Sequence, residues 1–150
     1  MSDFQPTARL LLALFRAFER ELLHQLASSG ITDVTPSHLN IIRHLDNNGM
    51  MISRLAQDAA LSKQLVGRIV KELEAKGYLK VTPDPVDRRI KYVRYTSKGS
   101  SLIANAVEIV STIEQRYESE LGSTEYHQFR NQLNELIALH SQSGIDDESR

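Results

Sequence analysis

YLKVTPDPVDRRIKYVRYTSKG, residues 78–99, holds two β-rich runs joined by a Pro83-Asp84-Pro85 tip that leads into Arg88 and Arg89. Alternation places Leu79 and Val81 on one face of the first run and Ile90 and Tyr92 on one face of the second. Val93 and Tyr95 add further β-formers, and the tip consists of turn residues. The segment is expected to be a β-hairpin with a positively charged end.

Directly before it stands SKQLVGRIVKELEAKG, residues 62–77. Val66, Ile69, Val70 and Leu73 recur at helical spacing and define an inward face, which leaves Lys63, Gln64, Gly67, Arg68 and Lys71 outward. Ser62 is placed to cap this helix, and Gly77 to stop it. A polar, basic helix followed at once by a basic hairpin is the pairing that makes a winged helix-turn-helix. The expected fold class is mostly α with a small β-hairpin wing (α+β).

The net charge of −1 hides an uneven distribution. Residues 1–53 carry four Lys/Arg against five Asp/Glu, residues 54–99 eleven against five, and residues 100–150 three against nine. A basic middle third between near-neutral and acidic ends is the footprint of one lobe that meets a polyanion. With no cysteine, a disulfide framework, a thiolate zinc site and a thiol redox sensor are all excluded. The apolar stretch Leu10 to Phe15 is too short to span a bilayer, and no export signal is seen, so the expected compartment is the cytoplasm and no membrane partner is expected. At 150 residues the chain suits a single domain that buries roughly two-thirds of its unfolded surface.

Outward from the helix and hairpin, the run Thr7 to Ala27 has apolar residues at 10, 11, 14, 15, 18, 22 and 26, a helical stripe wide enough to need more than one partner. Thr35 followed by Pro36 opens a second helix, with Leu39, Ile42 and Leu45 inward and Asn47-Asn48-Gly49 as its stop. Met50 to Ile52 reads as a short apolar bridge into a small helix from about Ser53 to Ala59, with Leu55 and Ala56 buried. After the hairpin, a long helix to about Glu120 carries Leu102, Ala106, Ile109, Val110, Ile113 and Tyr117. Gly122-Ser123-Thr124 breaks it, and a last helix runs to about His140 with Phe129, Leu133, Leu136 and Ile137 or His140 on one side. The organisation expected is a DNA-binding lobe at 35–96, dimerisation helices at 7–28 and 97–140, and a flexible polar tail at 141–150. The outer helices are expected to pack on a second copy of the chain as a homodimer.

Arginine can pair with both major-groove acceptors of guanine, and glutamine does the same at adenine. Arg68 and Gln64 are therefore the candidates for base readout, and Lys63 and Lys71 for phosphates. Gly67 costs its helix about 1 kcal/mol relative to alanine, which calls either for close approach of DNA or for a crossing helix. Arg88 and Arg89 sit where a wing meets a narrow, strongly negative minor groove, with Asp87 beside them. The five histidines, His24, His38, His44, His127 and His140, are scattered, and no phosphate loop, nucleophile elbow or carboxylate pair is found, so no metal, cofactor or enzymatic activity is expected. The alternative reading is a winged-helix protein-interaction module without specific DNA binding.

The order of these parts resembles the MarR (multiple antibiotic resistance regulator) family over nearly the whole chain. The match is carried by Thr35-Pro36, Leu55-Ala56, Ser62 through Arg68, Leu73 through Tyr78, Asp84-Pro85-Val86-Asp87-Arg88-Arg89 and Val93 through Gly99. The resemblance implies an obligate dimer on a pseudo-palindromic duplex operator, with Ser62, Lys63, Gln64, Gly67, Arg68, Lys71, Asp87, Arg88 and Arg89 at the DNA and Arg89 in the minor groove. It further implies a repressor released by a small aromatic or phenolic effector. Gly67 stands where members commonly show a small hydroxyl residue, Leu65 where threonine is frequent, and Tyr95 in place of a leucine.

Overall fold

The computed structural model describes residues 4–142, which form six helices and three strands. In chain order these are α1 (Thr7–Ser28), α2 (Pro36–His44), β1 (Met50–Met51), α3 (Ile52–Asp58), α4 (Lys63–Ala75), β2 (Leu79–Pro83), β3 (Lys91–Tyr95), α5 (Ser97–Leu121) and α6 (Ser123–Gln142). The winged helix-turn-helix and the mostly helical fold class are as the sequence implies.

The three strands form an antiparallel sheet in the order β1-β3-β2, with β3 central. Met50, expected to be part of a bridge, is instead a strand residue paired with Val93. The hairpin register pairs Leu79 with Tyr95 and Val81 with Val93, so the buried face of β3 is the one that carries Val93. Ile90 and Tyr92, expected to share one face of the second run, are 37% and 41% exposed. Ile90 lies before the strand begins, and Tyr92 is one residue out of phase with Val93, which sends its ring to the opposite side of the pleat.

Residues up to Ile109 form one compact unit. Its core gathers Leu26, Leu39, Ile41, Leu55, Val66, Val70, Leu73, Leu79, Val93 and Leu102, all nearly inaccessible to solvent. The four inward positions expected on α4 are all buried. Thr35 caps α2 through a reciprocal box in which its hydroxyl accepts from His38 N–H and its own N–H donates to His38 Nδ1 at 3.1 Å. Since Nδ1 accepts, the ring proton sits on Nε2, which donates to Glu72 on α4 at 2.9 Å. His38 is thus a buried link between α2 and α4. On α2 the helix ends at His44, and Leu45 and the Asn47-Asn48-Gly49 turn lie beyond it.

The second unit, from Val110 onward, holds the end of α5 and all of α6. Among its described residues Ile113 and Tyr126 are buried, and Arg130 joins the two helices through Glu114 at 3.3 Å. The break between them is Gly122 alone, at φ +95°. Helix α6 continues to Gln142, so the first two residues of the expected tail are helical, and the remainder of that tail lies outside the described residues. Among the described residues no helix is long and apolar enough to cross a membrane.

Candidate nucleic-acid interface

Helix α4 is fixed at both ends. Ser62 accepts from Leu65 N–H at 3.1 Å, satisfying one of the donors orphaned in the first turn. At the other end Gly77 adopts φ +83° and a paired closure follows, Gly77 N–H to Glu74 O and Tyr78 N–H to Leu73 O, each at 2.9 Å. Only glycine takes that left-handed conformation without a steric cost, so Gly77 stops the helix and launches β2 in one residue.

The Thr96-Ser97-Lys98-Gly99 sequence then ties the far end of the hairpin back to the same place. Thr96 N–H donates to Tyr78 O at 3.0 Å, and its hydroxyl lies against the Gly77 and Tyr78 carbonyls while accepting from Gly99 N–H at 3.1 Å. Lys98 Nζ donates to Lys76 O at 2.7 Å, where the dipole of α4 ends negative, and stands 4.4 Å from the Tyr78 ring centre. Gly99 passes so close that a Cβ there would lie 2.1 Å from Tyr78 O. Tyr78 in turn donates to Asp33 at 2.6 Å, and burial with that bond pushes its pKa up to about 12. The direction in which the wing leaves α4 is therefore set by a dense joint of backbone and side-chain bonds.

Tyr95 also has a role in this joint. Its hydroxyl donates to Ile42 O at 3.1 Å and lies 3.4 Å from Leu45 O, closing the end of α2 onto β3. Burial, with the negative charge of Asp46 beside it, raises its pKa to about 12.

The tip of the wing is exposed and bonded to itself. Asp84 accepts from Val86 N–H at 2.9 Å and Asp87 N–H at 3.0 Å, and those two donors hold its carboxyl below the usual range. Asp87 accepts from Arg89 Nε and Nη2, each at 3.0 Å, and from Arg89 N–H at 3.1 Å. The guanidinium lowers the Asp87 pKa, and the carboxylate raises that of Arg89. Arg89 remains 91% exposed, so this fork fixes its direction without hiding its outer donors. Arg88 is exposed at the same tip.

Between α4 and the wing lies an open cleft of about 460 Å³. Lys63, Gly67 and Lys71, successive along one line of α4, face it together with Arg89 and Lys91 from the hairpin. Gln64 and Arg68 are exposed but turn to a different side of the helix and do not line the cleft. Nor is Arg68 drawn to Glu72, whose carboxylate is taken by His38. Two further residues of this cleft, Ser53 and Lys91, escaped the sequence reading. Lys91 was visible only as one more charge beside Arg89, because its side follows from the strand register.

Residues 32–90 match the model of the MarR family. The transcriptional regulator HosA of Escherichia coli O111:H- is 22% identical over 108 residues, covering 71% of this chain and 80% of HosA. Transcriptional regulator Tm0710 from Thermotoga maritima is 28% identical with a TM-score of 0.62, over 93% of this chain and 97% of its own. Over that segment the chain is similar to the MarR family, and solved structures of transcriptional regulators share its fold. This family is one of transcriptional regulators and not of enzymes. A further relative in fold, the transcriptional repressor CouR bound to a 23-mer DNA duplex, is 24% identical with a TM-score of 0.71, over 91% of this chain and 92% of CouR.

Proposed function

We propose that this protein is a regulator of the MarR family, a homodimer that binds a pseudo-palindromic operator, one α4 to each half-site, and acts as a repressor relieved by a small aromatic or phenolic effector. The observation that carries the DNA-binding part is the outward face of α4 set beside a wing whose arginine is aimed by a carboxylate. Gln64 and Arg68 are assigned to base edges, Lys63 and Lys71 to phosphates, Arg89 to the minor groove and Arg88 to the backbone, with Ser62 and Asp87 holding the helix start and the arginine in place. A DNA-binding lobe at 35–96 follows from this assignment.

Dimerisation is supported by apolar side chains that the single chain leaves uncovered. On the first half of α1, Leu10, Leu11, Leu12, Leu14 and Phe15 are 42–52% exposed, and on the last half of α6, Leu136, Ile137 and Leu139 are 50–64% exposed. Faces of this kind belong in an interface.

Binding to operator and to random duplex, titrated across salt concentrations, tests the reading together with light scattering for the dimer. Arg68→Ala is expected to weaken operator binding about tenfold to a hundredfold and to relax base preference at one position, while Lys63→Ala weakens all sequences alike. If Arg68→Ala and Arg89→Ala both left operator affinity unchanged, the docking would be wrong. A response flat in salt would favour a protein-interaction module. Repeating the titration with a panel of aromatic acids tests effector release.

A further inference from the structure

Gly67 has no internal explanation. It sits in the middle of α4, at backbone angles that any residue adopts, where glycine weakens a helix. The crossing-helix explanation fails, because a Cβ built at Gly67 meets nothing within 4 Å. Within the chain, an alanine would fit and would strengthen the helix. What Gly67 does have is a position on the floor of the α4–wing cleft.

Helix geometry makes that position specific. Lys63 and Lys71 lie one turn to either side of Gly67 on the same line of the helix, roughly 6 Å away along the axis in each direction. The gap between them is a notch the width of one side chain, flanked by cations and faced across the cleft by Lys91 and Arg89. None of the three lysines forms an ion pair among the described residues. The single carboxylate in the cleft, Glu74, is occupied in accepting from Val81 N–H at 2.9 Å. A notch with unpaired cations on both flanks suits a group that is compact and anionic and must come close to a helix backbone.

We propose that Gly67 is the seat of a backbone phosphate of the DNA strand that runs between the major groove, occupied by α4, and the minor groove, occupied by the wing. Lys63, Lys71 and Lys91 grip the sugar-phosphate chain at that seat, and the absence of a side chain at Gly67 sets how deeply α4 enters the groove. Gly67 is on this account a positioning residue: it controls the reach of Arg68 and Gln64 without touching a base. The inference rests on the DNA-binding reading above and adds to it a site for one particular stretch of backbone.

Two effects of opposite sign test it. Gly67→Ala and Gly67→Leu both remove the helix penalty and should raise Tm, by about 2–4 °C for the alanine variant. Both should weaken binding to duplex DNA, severalfold for alanine and about a hundredfold for leucine, and the leucine variant should lose about one unit of the slope of log affinity against log salt. A purely structural glycine would move stability alone. Gly67→Ala and Gly67→Leu variants that bind with the affinity and salt slope of the unaltered protein would overturn the seat. If the unaltered protein itself fails to retain duplex DNA at low salt, the DNA-binding reading falls, and the seat falls with it.

Discussion

The wing is built differently at its two ends. At the base, Tyr78, Leu79 and Val93 are buried, and Thr96, Lys98 and Gly99 bond across to the end of α4. At the tip, the hydrogen bonds run within residues 84 to 92, and Val86 and Arg89 stand 96% and 91% exposed. A hairpin made this way is rigid where it must be aimed and bare where it must be read. Bonding is concentrated at the base, and the exposed charge that the proposed function assigns to DNA lies at the tip. Substitutions should therefore divide into those that unfold the protein and those that only blind it.

The largest effect should come from Gly99→Ala. Its new Cβ would meet the Tyr78 carbonyl oxygen at 2.1 Å and the Tyr95 ring at 3.1 Å. That carbonyl already accepts from Thr96 N–H, so it cannot swing away without breaking the joint. The cost should be about 3 kcal/mol, which lowers Tm by about 6–12 °C in a chain of this size. Thermal denaturation followed by circular dichroism measures it. A shift under about 1 °C would mean the base is not the rigid end.

A smaller effect is expected at Tyr95. Tyr95→Phe keeps the ring and removes the donor to Ile42 O, at a cost of about 1 kcal/mol. Burial gives the two phenols at the base a pH signature. Tyr78 and Tyr95 both have folded pKa values of about 12, against roughly 10 for a free phenol, so folding favours their neutral forms. That stabilisation is complete below pH ~10 and is lost as pH rises toward 12. Phenolate absorbance and loss of ellipticity should therefore rise together in that window, and the transition should be less steep in Tyr95→Phe. Phenolate formation well before any unfolding would show the base to be open to solvent.

Much of this division can be read from the residues, and what cannot has a physical reason. Val66, Ile69, Val70 and Leu73 repeat with the helix period, so the buried face of α4 follows from local spacing. The tip is equally plain, because Pro, Asp and paired arginines carry their turn chemistry and charge with them. The base is opaque. Nothing near Gly99 in sequence reveals that Tyr78 O will crowd it, and nothing near Met50 reveals that it will pair with Val93. The hydroxyl of Tyr95 finds its partners on α2, far back in the chain. His38 was equally hidden, since a histidine at the third position of a helix acts as a cap only if its ring nitrogen turns back to Thr35. Contacts closed over long stretches of chain leave no periodic signature, whereas faces and turns do.

The tip should give the smallest stability effect and a clear functional one. Asp84 organises it by accepting from Val86 and Asp87, yet the carboxylate lies in water, where such bonds compete with solvent. Asp84→Ala should move Tm by no more than about 2 °C. Without it, Asp87 is no longer held, and the fork that directs Arg89 loses its support, so operator affinity should fall severalfold while the affinity for random duplex changes less. Acid should imitate the substitution. Both Asp84 and Asp87 have lowered pKa values, so their contribution is present above the ordinary carboxylate value of ~3.9 and lost as pH falls below it. Amide exchange at Val86 and Asp87 should accelerate in that range relative to Tyr78 and Thr96 at the base. If tip and base amides lost protection together, the wing would be one cooperative unit, and the contrast between its two ends would not exist.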